Sequence, residues 1–175
     1  AQGDVSIATS KVLHGRPLEA GGFSFELRTG DGAAGSSEVI ARAENATDGT
    51  VDFGTIEFTL DTLAEAVNKG YATRDAQGIW HVRYTAVEIV DGLPGGVSAT
   101  VPSLSFEVSV EDKGDGVLAA TVQGLDGHSF ENTYVTNGGE PVSIALEGRK
   151  VLTYAEGLAP ADITGKFTFT VTGED

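Results

Sequence analysis

The chain lacks cysteine and methionine, and it has little histidine, proline and tryptophan. Without cysteine there can be no disulfide framework, no cysteine-ligated zinc and no thiol catalysis. The three histidines, His14, His81 and His128, stand far apart and form no HExxH or similar metal-binding motif. The sequence therefore predicts neither a metal site nor a bound cofactor.

Basic residues and long apolar runs are scarce as well. The chain has 26 acidic but only 11 basic side chains, which gives a formal net charge of −15. Because contacts to phosphate need a basic surface, this charge argues against nucleic acid and anionic membranes as partners. No apolar stretch approaches the roughly 18–20 residues of a membrane span, so membrane insertion is not expected. We expect a mature extracellular fragment, since a thiol-free acidic chain fits the outside of a cell.

Glycine and short alternating runs dominate what the chain does contain. The 24 glycines separate segments in which apolar and polar residues alternate, a pattern typical of antiparallel β-structure with many turns. A hydrophobic content of 40% is sufficient for the core of one domain. The predicted strands are Asp4–Leu13, Gly22–Arg28, Glu38–Ala43, Thr50–Leu60, Ile79–Val90, Ser103–Val110, Gly116–Gln123 and Ser129–Val135.

One segment departs from this alternation. Between Asp61 and Gly70, the apolar residues Leu63, Ala66 and Val67 have helical spacing. Asp61 is the candidate N-cap, and the glycine is the candidate end of the helix. The pattern predicts one short helix on a crossover between strands, with a role in packing.

Three polar side chains fall on strand faces that the alternation predicts to be buried. Lys11 alternates with apolar residues of the first predicted strand, Glu88 with those of the strand from residue 79, and Asn132 with the aromatic residues of the last. Lysine and glutamate are rarely buried unless they are paired, and lysine and asparagine are the reactants for a side-chain amide bond. A strand shifted by one residue would instead turn these side chains to solvent, and a buried asparagine could simply satisfy a backbone group.

The chain also repeats itself. The segment Val5–Leu13 reappears, with two inserted residues, as Val142–Leu152, and Gly22–Leu27 returns as Lys166–Val171. We therefore expect residues 1–137 to form one complete module. Residues 138–175 are expected to be a linker and the opening strands of a second, truncated module.

Three of these segments resemble a known family. Lys11–Leu27 is similar to the opening of the pilin isopeptide-linkage domains of Gram-positive bacteria, the T-antigen-like modules of major pilins and cell-wall adhesins. Tyr84–Glu88 resembles the family's central strand, which ends in its glutamate. Ser129–Tyr134 resembles the closing strand, which carries its reactive asparagine. The resemblance covers nearly all of residues 4–135, and its opening recurs at 142–171.

The resemblance implies an all-β fold, an immunoglobulin-like antiparallel β-sandwich, in which a Lys–Asn isopeptide bond joins the first and last strands. It implies that Lys11 is the nucleophile, Asn132 the acceptor and Glu88 the catalytic acid, while Lys150 is a possible half-site of the next module. The second module has no matching glutamate or asparagine. The run Leu93–Gly96 matches only the start of an LPxTG sorting signal, so anchoring cannot be inferred from it.

The chemistry of burial agrees with these implied roles. Desolvation disfavours charge, so a buried lysine tends towards the neutral amine that can attack a carbonyl carbon. A protonated carboxyl group beside the amide could polarise its oxygen and pass a proton to the departing ammonia. Holding both strands side by side can lower the activation barrier by ~7–11 kcal/mol, because the reacting groups are already close together. Each molecule would react once, so the protein is not expected to be an enzyme.

Three functions are compatible with these patterns. The first is a structural stalk module of a pilus or adhesin, extracellular and anchored to the cell wall, whose partners are adjacent modules or pilin subunits. The second is an adhesin domain that recognises host protein or glycan through the loops Thr29–Ser37 and Asp91–Val101. A single tryptophan, Trp80, provides no evident aromatic platform for a sugar. The third is a glycosidase with paired carboxylates, but no pair stands out.

Overall fold

A computed structural model describes residues 1–136, 147–153, 155–157 and 162–172. The chain separates into two compact units, Ala1–Gly138 and Gly139–Asp175. Within the part of the chain that the structure describes, every regular element belongs to the first unit. In chain order these elements are β1 (Gln2–His14), β2 (Ser24–Thr29), β3 (Val39–Glu44), β4 (Thr50–Thr59), α1 (Leu60–Asn68), β5 (Ala72–Arg74), β6 (Trp80–Glu88), β7 (Val97–Val101), β8 (Ser103–Gly114), β9 (Val117–Gln123) and β10 (Ser129–Tyr134).

The strands form one continuous hydrogen-bonded sheet that folds back on itself. One part has the order β3-β2-β6-β8-β9, with β5 beside the first half of β6, and the other has the order β4-β1-β10-β7. The residue pair Gln2 and Val117 joins the two parts, and an isolated bridge between Asn45 and Val51 links them a second time. The prediction of an all-β fold with one short helix is confirmed, and the topology is consistent with an immunoglobulin-like sandwich. Most ladders are antiparallel, but β1 pairs in parallel with β10.

The alternation seen in the sequence places every second side chain in the core. Along β6 the buried residues are Trp80, Val82, Tyr84, Ala86 and Glu88, although Thr85 is also covered. Apolar side chains from both parts of the sheet meet there, and Phe25 of β2 contacts Phe130 of β10 with ring centroids 4.5 Å apart. Burial of such side chains is the main stabilising term of the fold.

The helix is present, but its cap differs from the predicted one. Thr59, rather than Asp61, is the N-cap: its hydroxyl accepts from the Thr62 amide at 3.1 Å, while the Thr62 hydroxyl accepts from the Thr59 amide at 2.9 Å. Asp61 lies in the first turn, where its negative charge interacts favourably with the positive end of the helix dipole. Leu63 is buried as predicted, whereas Val67 is 39% exposed, because the helix buries only a narrow stripe.

Two strands were not predicted from the sequence. β5 is only three residues long, and β7 lies within the segment 91–101, which the sequence analysis assigned to a loop. The glycines and Pro94 that precede β7 have the composition of a turn, and the strand itself is short. Among the strands that the structure describes, it forms an edge of the sheet and pairs only with β10.

The second unit contains no helix or strand among its described residues. The predicted strand residues Val142, Ile144 and Leu146 lie outside the described part. The run from Lys166 to Val171 is described and leaves its alternate apolar residues largely in solvent, with Phe169 being 71% exposed.

Candidate cross-linking site

Two of the predicted site residues lie on neighbouring strands. In the parallel ladder of β1 and β10, Lys11 is opposite Phe130, and Leu13 is opposite Asn132. Lys11 and Asn132 are therefore offset by two residues, which keeps both side chains on the same face of the sheet. That face points into the core, since Ile7 and Phe130 on the same alternation are fully buried.

The third residue reaches the same point from the opposite part of the sheet. Glu88 is the last residue of β6, where its backbone pairs with Phe25 of β2. Its amide also donates to the Pro102 carbonyl at 2.8 Å, which fixes the end of the strand. Because Glu88 continues the buried alternation of β6, its carboxyl group points across the core towards β1 and β10.

One carboxylate oxygen joins the three residues. The Lys11 ammonium Nζ donates to Glu88 Oε1 at 2.8 Å, and Asn132 Nδ2 donates to the same oxygen at 2.8 Å. The Lys11 and Glu88 side chains have no exposed surface, and Asn132 is fully buried. The structure thus brings Lys11, Glu88 and Asn132 together in a dry site, as the strand alternation required.

Two oxygens in this site have no hydrogen-bond donor within the described part of the chain. They are Glu88 Oε2 and Asn132 Oδ1, and both are buried. An unsatisfied buried acceptor is costly, so the group is short of donors as it stands.

The surroundings of Lys11 weaken its positive charge. Burial is the largest influence and lowers the pKa of the Lys11 amine, while the hydrogen bond and the charge of Glu88, and more weakly the charge of Glu131, oppose that shift. The amine lies 4.5 Å from the ring centroid of Phe23 and 5.8 Å from that of Phe25. Aromatic rings hold a cation but exclude water, so the site favours loss of the lysine proton.

Residues outside the predicted set also shape the site. The sequence analysis did not identify the enclosing rings, although the alternation Phe23-Ser-Phe25 was a visible signal for them. It also missed Gly49, whose carbonyl accepts from the Lys11 amide at 2.7 Å. Gly49 has φ +90°, and a side chain there would place its Cβ 2.5 Å from the Lys11 carbonyl oxygen. Only glycine fits this close approach.

Lys150, the predicted half-site of the next module, lies in the second unit and is exposed. Its amine lies 4.8 Å from the ring centroid of Phe167. In the sequence repeat Lys150 corresponds to Lys11, and Phe167 corresponds to Phe23. The same lysine-over-phenylalanine contact therefore occurs in both units.

The remaining predictions concern metals, membranes and loops. Among the described residues there is no cluster of three or more histidine, aspartate or glutamate side chains that could hold a metal. No helix in that part of the chain is long and apolar enough to cross a membrane. The loop Thr29–Ser37 borders a polar cavity of about 450 Å³, which Lys69, Tyr71 and Arg83 also line.

Comparison with protein families identifies a match that covers most of the first unit. The family model described as "Spy0128-like isopeptide containing domain" (FctA) matches residues 7–135. No curated protein matches the chain. The matched range includes Lys11, Glu88 and Asn132.

Proposed function

Because the chain belongs to the family of Spy0128-like isopeptide containing domains, found in Gram-positive pilins, we propose that residues 1–137 are a shaft module of a bacterial surface pilus. In this proposal Lys11 and Asn132 form an isopeptide bond, and Glu88 catalyses its formation. The observation that carries the proposal is the shared hydrogen bonding of Lys11 Nζ and Asn132 Nδ2 to Glu88 Oε1 inside a fully buried site.

The first step is a proton transfer along an existing hydrogen bond. The proton moves from the Lys11 ammonium to the Glu88 carboxylate over 2.8 Å, leaving a neutral amine and a neutral acid. Removing both charges removes the free-energy cost of keeping an ion pair away from water. The amine then carries the lone pair that it needs as a nucleophile.

The second step joins the two side chains. Rotation of the Asn132 amide turns Oδ1 towards Glu88, whose carboxyl proton then stabilises the developing oxyanion. The Lys11 lone pair forms a bond to Asn132 Cγ, and the C=O π electrons move to Oδ1. When this intermediate collapses, the Cγ–Nδ2 bond breaks and ammonia leaves. The amine gives up one proton, the leaving group gains one, and Glu88 relays it, so the carboxyl group is regenerated.

The bond would change how the module resists unfolding. It closes a loop of about 120 residues, and by analogy with disulfides this constraint on the unfolded chain would stabilise the fold by roughly 4–5 kcal/mol. Because β1 and β10 are the terminal strands, tension along a shaft would pass through the covalent link. The reaction occurs once in each molecule and processes no separate substrate.

Intact mass spectrometry tests the proposal directly. The purified chain should be lighter than its sequence mass by one ammonia, and the missing mass should map to a joined peptide containing Lys11 and Asn132. A mass equal to that of the unmodified sequence would contradict the proposal. The joined peptide assigns the residues, and Lys11 is expected in it because every other lysine among the described residues is less buried.

The tail extends the proposal to a second module. We propose that residues 138–175 are a linker followed by opening strands, with Lys150 as the nucleophile of a further bond. The support is the repeated contact: Lys150 lies over Phe167 at 4.8 Å as Lys11 lies over Phe23 at 4.5 Å. The acceptor strands would come from an adjacent module or pilin subunit. Extracellular, cell-wall-anchored placement belongs to the same proposal.

A ligand-binding adhesin domain is the second candidate. The observation in its favour is that the predicted binding loop Thr29–Ser37 borders the cavity lined by Tyr71 and Arg83. In the other predicted loop, Asp91–Val101, the last five residues form strand β7, which leaves less of it free for recognition. Binding of host protein or glycan that is lost in Arg83→Ala, with ammonia loss unchanged, would support this function. Equal binding by both proteins would exclude this cavity as the site.

A further inference from the structure

The segment between β1 and β2 closes the core directly above the Lys11 amine. Phe23, the last residue of this segment, is 4% exposed, and its ring centroid lies 4.5 Å from Lys11 Nζ. It stands just outside β2, where its carbonyl accepts from the Asn45 amide at 3.3 Å. Further contacts to the backbone of this segment also hold it in place.

Asn45 supplies those contacts. Its Oδ1 accepts from the Phe23 amide at 2.9 Å, while its Nδ2 donates to the carbonyls of Glu19 at 2.8 Å and Ala46 at 3.1 Å. The Asn45 carbonyl also accepts from the Gly21 amide at 2.8 Å. The residue is 2% exposed, so these hydrogen bonds are made away from water and are costly to lose. They fasten the segment 19–23 to the start of the next turn.

The same turn also holds the backbone of the nucleophile. The Gly49 carbonyl accepts from the Lys11 amide at 2.7 Å, and the Gly49 amide donates to the Ala46 carbonyl at 3.0 Å. One short turn, residues 45–50, therefore contacts both the strand that carries Lys11 and the segment that carries its aromatic cover.

We propose that Asn45 is a positioning residue for the bond-forming reaction, because its amide fastens Phe23 over the Lys11 amine and keeps water out. This inference rests on the proposed function. An asparagine suits the place, since one planar group offers an acceptor to an amide and two donors to carbonyls. An aspartate would set its carboxylate against two carbonyl oxygens. The charges that act on Lys11 are those of Glu88 from β6, which contacts it, and of Glu131 from β10, which lies nearer the surface, and neither is bonded to Asn45.

If Phe23 is held less firmly over Lys11, the pKa of the Lys11 amine should change. Water that reaches Lys11 favours the protonated form, and each unit by which the pKa rises lowers the neutral fraction about tenfold. Bond formation should then slow, and its pH profile should move to higher pH. A side chain that contributed only stability would not shift that profile.

The first experiment reads the amine in a chain that cannot cross-link. Asn132→Ala removes the acceptor but leaves the Lys11–Glu88 contact. Lysines are labelled with acetic anhydride from about pH 7 to pH 10, and Lys11 is compared with the half-exposed Lys113 by peptide mass spectrometry. Adding Asn45→Ser should increase Lys11 labelling about tenfold or more, because local opening exposes the amine. Lys113 labelling should not change.

A matched control separates positioning from general stability. Asp75 organises a different loop, where its carboxylate accepts from the amides of Gln77 and Ile79, both at 2.9 Å. Asp75→Ala in the same background should lower stability without increasing Lys11 labelling. Phe23→Leu keeps the Asn45 hydrogen bonds but removes the ring, so it should increase labelling even if the Asn45 variant does not fold. If neither variant labels Lys11 faster than Asp75→Ala does, the inference is wrong.

The second experiment follows the reaction in the full chain. Ammonia loss is timed by mass spectrometry after a pulse of cell-free synthesis, with and without Asn45→Ser, at several pH values. The variant should react more slowly, with its profile displaced to higher pH, and an unchanged profile would overturn the inference. If the unchanged chain loses no ammonia, the proposed function fails instead, and the labelling experiment still reports whether Asn45 keeps Lys11 dry.

Discussion

The two units share a local motif, a lysine over a phenylalanine ring, but they differ in how far the lysine is buried. In the first unit Lys11 lies over Phe23 and is 2% exposed, whereas in the second Lys150 lies over Phe167 and is exposed. The contact with the ring is thus a property of the motif itself. Burial and the carboxylate partner come from β6 and β10, strands that are distant in the sequence. Burying the lysine and pairing it with a carboxylate therefore requires strands from the whole first unit.

The largest expected effect comes from breaking the first site at its carboxylate. Glu88→Ala should fold but remain uncross-linked, losing roughly 4–5 kcal/mol of loop constraint and leaving the buried Lys11 charge unpaired. At about 2–4 °C per kcal/mol for a chain of this size, the melting temperature should fall by about 10 °C or more. Calorimetry and intact mass measure both effects.

Glu131 provides the control for that experiment. It adjoins Asn132 on β10 and its charge also acts on Lys11, but it contacts His14 at the surface at 3.5 Å. The Glu131→Ala variant should still cross-link, with complete loss of one ammonia, and its melting temperature should be close to that of the unchanged protein. Complete ammonia loss in Glu88→Ala would show that the acid is not needed.

The paired lysines allow a direct test of the comparison. Methionine has about the length of the lysine stem but no amine, so no bond can form in Lys11→Met. The free energy of unfolding should therefore fall by roughly the 4–5 kcal/mol of the loop constraint. Lys150→Met removes an exposed amine from the second unit and should change neither mass loss nor melting of the first. If the cross-link still forms in Lys11→Met, Lys11 is not the nucleophile.

A half-exposed charge cluster in the first unit should have a smaller, pH-dependent effect. The His81 ring contacts Glu107 at 2.6 Å and Asp75 at 3.1 Å, and these hydrogen bonds, that of Glu107 first, raise the pKa of His81. The stabilisation is fully present below the unfolded pKa of about 6.5 and is lost as the pH rises through the folded value. Melting curves of the unchanged protein and His81→Gln should therefore differ at pH 5 to 6 and converge above the raised pKa. A difference that does not change with pH would contradict this assignment.

The smallest effect is expected from removing the second unit. Without residues 140–175, the first unit should still lose ammonia, and its melting transition should shift by less than about 0.5 kcal/mol, as for distant independent sites. Mass spectrometry and calorimetry of the shortened chain measure this. Failure to fold would mean that the tail belongs to the first core and that the repeat has been misinterpreted.

The site was easier to predict than parts of the fold. Strand alternation has a period of two residues, so it assigns Lys11, Glu88 and Asn132 to an inward face without knowledge of which strands are neighbours. It does not reveal that β1 and β10 lie side by side in parallel, since that pairing joins residues more than a hundred positions apart. The family resemblance implied that the first and last strands are joined, but the structure was needed to show that they pair in parallel.

Short and irregular features were missed for local reasons. β7 follows a glycine-rich run whose composition is that of a turn, and its pairing with β10 is what makes it a strand. The helix begins two residues earlier than expected because Thr59 and Thr62 form a reciprocal cap that outweighs the acidic candidate Asp61. Asn45 shows no pattern at all, since its role depends on three backbone groups brought together by the fold.

The parallel pairing of β1 and β10 also determines the direction in which the module can be pulled apart. Chain ends that leave from the start of one parallel strand and the end of its neighbour load the ladder in shear, so its hydrogen bonds must yield together and cannot unzip in sequence. The ladder runs from Ser10 opposite Ser129 to His14 opposite Thr133. Lys11 and Asn132 both lie within it. Even without a covalent bond, the folded chain would be mechanically stiff at the place where we propose that the link forms.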